Sequence, residues 1–129
     1  MARRRREFSA TTQFLTVAVG ASDTTTITIT AGALIPHDGA RIDKVWATTG
    51  TAGVGSGGTF TIQLLDGATA LTAAGITVDA DAAAGTVHGS MEGNGTQAAT
   101  GGGPLGIATV KTGTVSTGAI LQICILWQM

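Results

Sequence analysis

Residues 24–30 read Thr-Thr-Thr-Ile-Thr-Ile-Thr, and no other feature of the chain limits its fold so tightly. Side chains along a strand alternate between faces, so this run puts Ile27 and Ile29 on one side and threonine hydroxyls on the other. β-branched residues lose side-chain freedom in a helix and fit a pleated surface well. The alternation returns at 59–66, with Phe60, Ile62 and Leu64 set against Thr59, Thr61 and Gln63. Threonine occurs 23 times and glycine 20 times in 129 residues, while lysine and glutamate occur twice each. Strand formers with a polar face, abundant turn formers and few long helix formers together predict an all-β protein.

Further strands are expected at 14–19, 41–49, 71–78, 86–91, 105–110 and 119–127, about eight in all. Turns are expected at Pro36-His37-Asp38-Gly39 and Asp66-Gly67, between Gly113 and Gly118, and at Gly93-Asn94-Gly95 as a primed hairpin turn or a loop tip. Residues 50–58, with five glycines in nine, read as a mobile loop. In 119–127, Leu121, Ile123, Ile125 and Trp127 alternate against Ile120, Cys124 and Leu126, so the run is apolar on both faces. Such a strand either lies mid-sheet with both faces covered or carries one face into a subunit contact. No repeat of 20–50 residues is visible, and the pattern predicts a single β-sandwich, jelly-roll-like or immunoglobulin-like. Cys124 is the only cysteine, which rules out a disulfide within the chain and fits a small buried apolar residue. No stretch approaches the roughly 18 uninterrupted apolar residues of a membrane helix.

Charge divides the chain in two. Arg3, Arg4, Arg5 and Arg6 supply four of the seven basic residues. From residue 8 onward, three basic side chains face seven acidic ones, a formal −4. Residues 1–13 therefore read as a basic arm that is ordered by a partner, and residues 14–129 as the β-domain. Arg3 to Arg6, with Phe8, are the candidate partner-binding residues. Guanidinium groups fork onto phosphates or carboxylates, so the arm suits either nucleic acid or an acidic protein surface. Base reading has little support downstream, because aromatics are few and the body is acidic. Arg5-Arg6-Glu7-Phe8 has the look of a twin-arginine export signal, but Thr11, Thr12, Gln13 and Thr16 interrupt the apolar stretch that should follow.

No catalytic constellation emerges. His37 falls in a turn sequence, and alternation from Val87 makes His88 an outward strand residue. There is no Gly-x-Ser-x-Gly elbow and no His-x-x-x-His pair. Asp79 and Asp81 lie two apart, too few for calcium, which takes six or more oxygen ligands. The expectation is a binding or assembly protein with no enzymatic activity, metal or cofactor.

The basic arm Met1–Gln13, the Thr/Gly/Ala-rich strands at 24–30 and 59–65, the long loops at 50–58 and 93–103 and the apolar finish at 121–127 together resemble the small decoration (cement) proteins of tailed-bacteriophage capsids. That resemblance implies a β-rich homotrimer or homodimer on the capsid surface of the virion, clamping the major capsid protein through its arm, with the loops pointing outward or toward neighbours. It implies that removing residues 1–13 leaves a folded body unable to attach. Two other readings stay open: a jelly-roll coat protein whose arginine arm binds packaged nucleic acid, and a secreted carbohydrate-binding β-sandwich.

Overall fold

The computed structural model describes residues 10–19, 25–73, 75–99 and 101–128, and every regular element among them is a β-strand. The strands are β1 (Ala10–Val19), β2 (Thr25–Leu34), β3 (Arg41–Thr51), β4 (Val54–Asp66), β5 (Thr69–Ala70), β6 (Ile76–Asp79), β7 (Val87–Glu92), β8 (Pro104–Thr117) and β9 (Ala119–Gln128). They form a four-stranded sheet in the order β1-β9-β3-β7 and a second sheet in the order β2-β8-β4-β5, with β6 also paired to β4.

The pairing has a simple rule. β1 pairs with β9, β2 with β8, β3 with β7 and β4 with β6, all antiparallel. The first half of the chain thus runs alongside the second half in reverse, as one long ribbon. Pairings β3·β9 and β4·β8 then roll that ribbon into two facing sheets. This is jelly-roll topology, and it decides between the two sandwich types left open by the sequence.

The sheets meet through alternating side chains. Leu15, Val17, Val19, Ile42, Val45, Ala47, Leu121, Ile123, Ile125 and Trp127 come from one sheet; Phe60, Ile62, Leu64, Ile76, Val78, Leu105 and Ile107 come from the other. Removing each of the larger ones from water contributes about 1.5–3 kcal/mol. β2 places Ile27 opposite Ile107 and Ile29 opposite Leu105. Thr24 and the facing of Ile27 and Ile29 lie outside what is described.

Several connections differ from the sequence reading. Residues 50–58 are not a mobile loop: β3 continues to Thr51, β4 starts at Val54, and only Ala52-Gly53 connects them. The glycines there serve close approach, since a Cβ on Gly58 would overlap the carbonyl of Thr114 on β8. No turn forms at Gly113; β8 runs through it to Thr117, and Gly118 alone carries the chain into the other sheet. Of the strand expected at 71–78, only 76–78 is strand, as part of β6, and β5 ends before it at Ala70. Between them, the Thr72 hydroxyl accepts the Leu64 backbone N–H at 3.2 Å, taking the place of a ladder carbonyl. Asp66-Gly67 does turn the chain: Asp66 ends β4 opposite Thr69, and Gly67-Ala68 form the two-residue hairpin loop, with Gly67 at φ +61°.

Gly93-Asn94-Gly95 opens a crossover rather than a hairpin, because β7 and β8 belong to different sheets. The Asn94 amide donates to the carbonyls of Ala70 (2.9 Å) and Thr72 (3.3 Å), and its oxygen accepts the Thr96 N–H at 2.9 Å. Farther on, the Asp66 carboxylate accepts the Ala99 N–H at 2.9 Å and the Asp38 carboxylate accepts the Gly101 N–H at 2.6 Å. Backbone hydrogen bonds also join Ala98 to Gly39 and Ala40, and Gly102 and Gly103 to Ile35.

Strand β1 begins within the residues expected to be arm. Ala10 to Gln13 already pair with Gln128 to Ile125 on β9. Gln13 accepts a hydrogen bond from the buried Trp127 indole N–H at 2.9 Å and donates to the Leu34 carbonyl at 3.1 Å. Cutting the chain after residue 13 would therefore damage the sandwich, because Ala10 to Gln13 belong to the sheet.

Candidate interaction surfaces

Arg3, Arg4, Arg5, Arg6 and Phe8 lie outside the described residues. Their attachment point is described: Ala10 begins β1, an edge strand of the four-stranded sheet. Of the expected core strand, Leu121, Ile123, Ile125 and Trp127 are all buried between the sheets. Any contact between subunits through β9 would have to use the alternate set, Ile120, Gln122, Cys124 and Leu126.

That outward set continues across neighbouring strands. Phe14 on β1, Cys124 on β9, Trp46 on β3 and Ser90 on β7 stand in one cross-strand rung. The next rung joins Thr12, Leu126, Lys44 and Glu92. Phe14 is 77% exposed and Trp46 36%, far more than a core aromatic. Between them lies an open groove of about 320 Å³, lined by Phe14, Thr16, Trp46, Thr48, Gln122 and Cys124 among others. Trp46 thus turns outward while its neighbour Val45 is fully buried. Cys124 is half-buried on this outer face, not in the core, and burial raises its thiol pKa. The sequence could not select these facings, because 119–127 is apolar on both sides.

A charged margin borders the groove. Lys44 lies 3.7 Å from the Glu92 carboxylate and 6.0 Å from the centre of the Trp46 ring. Both partners of this ion pair are well exposed, so it stabilises little. Asp43 and Lys44 both point outward because β3 carries a bulge between Ile42 and Lys44.

His88 is a correction. It is half-buried, while Val87 beside it is exposed. Trp46 pairs with Ser90 and Thr48 with Val87, so both His88 and Gly89 oppose Ala47 alone. Gly89, at φ +88°, makes this bulge possible and inverts the alternation that the sequence suggested. The His88 ring shares a 2.6 Å hydrogen bond with the hydroxyl of buried Thr49. Burial lowers its pKa, and the negative charge of Asp79 offsets part of that shift. Among the described residues, no three His, Cys, Asp or Glu side chains gather as a metal site.

Comparison with known proteins adds to this picture. No family model and no curated protein matches the chain. Among solved structures, a chain of the cyanophage Pam1 capsid asymmetric unit superposes on all of this chain and on 92% of its own length, with a TM-score of 0.58 and 14% identity. The likeness runs through both chains nearly end to end and establishes a shared fold. A looser one, with TM-score 0.30 and 15% identity, covers 93% of this chain and 36% of a chain from infectious bursal disease virus, Gx strain, and is too weak to define a common fold.

Proposed function

We propose that the protein is a structural component of a virus shell, and within that class a decoration protein that binds the outer surface of the capsid through its arginine arm. The observation that carries this reading is the whole-length fold likeness to a chain of a capsid asymmetric unit. The weakly acidic, sparsely charged body and the four consecutive arginines support it. An arm that leaves from the edge strand β1 extends reach beyond the footprint of the sandwich. Its guanidinium groups suit carboxylates on the major capsid protein, and many copies on one lattice would add avidity to individually modest contacts.

Two alternatives keep a specific observation each. The jelly roll with an arginine arm also suits a coat protein whose arm neutralises packaged nucleic acid. Phe14 and Trp46 flanking a groove with Thr16, Thr48 and Gln122 also suit a saccharide. One experiment separates them: shells of a virus that encodes this chain are stripped of it, emptied of genome and offered the purified protein. Saturable rebinding of the full chain, lost on removal of residues 1–9, is expected. Equal rebinding by the shortened chain would remove the arm as anchor, and binding that nuclease abolishes would favour the coat reading. Hits on a glycan array without shell binding would favour the saccharide.

A further inference from the structure

We propose that the outward face of the four-stranded sheet is the surface through which two copies of this chain pair, about a two-fold axis close to Cys124. This pairing does not depend on the virion reading. Phe14, Trp46, Cys124 and Leu126 form a contiguous apolar strip across β1, β9 and β3, with Ile120 beyond the polar Thr16-Gln122-Thr48 rung, unlike the scattered single apolar residues of an ordinary surface. The face is large enough for the purpose. Its strands, about 4.8 Å apart, hold ten residues in β1 and β9, eleven in β3 and six in β7, and at about 3.3 Å each span a plane of roughly 600 Å². Side-chain relief brings that close to the roughly 800 Å² that each partner contributes to a stable interface.

The charges fit self-association as well. Arg41, Asp43, Lys44 and Glu92 gather toward one end of the face, two of each sign, so two copies meet without net repulsion. The centre holds only neutral side chains, giving the apolar core and polar rim of an interface. Shape supplies the strongest argument. A face that pairs with itself must carry both a projection and the recess that receives it. Phe14 projects at the rim of the groove, and Trp46 forms the opposite wall with Cys124 between them. The Phe14 ring of one copy enters the recess beside Trp46 of its partner, and the reverse contact follows by symmetry. Cys124, midway along the rung, then lies near its own counterpart.

Sedimentation of the full chain and a short bismaleimide reagent test this directly, because Cys124 is the only cysteine. The full chain is expected to sediment at twice 12.8 kDa and to be captured as a covalent dimer. Phe14→Asp and Trp46→Glu are each expected to return it to a monomer with an unchanged melting temperature. A wild-type chain that stays monomeric and uncaptured at micromolar concentration would overturn the proposal. So would an oligomer that survives both substitutions, or a monomer whose Trp46 emission shifts with a neutral oligosaccharide.

Discussion

Replacing Gln13 by leucine tests whether β1 is pinned where the fold requires. Trp127 is fully buried, and its indole N–H has the Gln13 side-chain oxygen as acceptor at 2.9 Å. Gln13 also donates to the Leu34 carbonyl at 3.1 Å, tying β1 of one sheet to the end of β2 in the other. Leucine keeps the approximate volume but can accept and donate nothing. A buried donor left unpaired costs about 1–3 kcal/mol, and the second bond contributes about 0.5–1 kcal/mol. The added apolar surface of leucine offsets part of this, leaving a net loss of about 2 kcal/mol. For a domain of this size, that corresponds to a melting temperature lower by roughly 6–10 °C. Thermal unfolding followed by far-ultraviolet circular dichroism reads this, with Thr12→Val as the control at an exposed neighbour on the same strand. A Gln13→Leu variant that melts within about 1 °C of wild type would refute the reasoning, because Trp127 would then have its needs met elsewhere.

Three further outcomes are expected. Ile123→Asp places an unpaired carboxylate between the sheets, costing more than about 4 kcal/mol, and should yield an insoluble or unfolded chain; a soluble variant with native circular dichroism would contradict the packing. Gly89→Ala meets no atom within 4 Å, so its loss of about 1–2 kcal/mol in chemical denaturation comes only from forcing alanine to positive φ; a neutral result would remove the bulge. Burial holds the folded pKa of His88 below its ordinary 6.5, so the unfolded chain takes up the proton first. Stability from this residue therefore declines as pH falls below about 6.5 and levels off below the folded pKa. Melting curves of His88→Gln should show a shallower acid-side decline than wild type, and identical slopes would detach His88 from it.

What the sequence disclosed follows from local physics. Alternation at 59–66 identified Phe60, Ile62 and Leu64 as core, because one face there is apolar and the other is not. The strand at 119–127 was equally plain, but its two apolar faces left the choice between core and outer surface to tertiary pairing. Cys124 was hidden for the same reason, and Trp46 by the bulge at Asp43 on β3. Bulges were invisible, since one extra residue at Gly89 or Asp43 reverses the facing of its neighbours without any change in composition. Gln13 read as part of the arm because it is polar, yet its partner Trp127 lies 114 residues away. The jelly roll itself rests on such distant pairs, β1 with β9 and β2 with β8, which no local window contains.

Membership of a virus shell is tested most directly by a cryo-electron microscopy map of intact particles encoding this chain, with protein composition measured on the same preparation. Density for a jelly roll with this strand order, at fixed copy number on the outside of the capsid lattice, is the expected result. Purified particles that lack the protein altogether would contradict it.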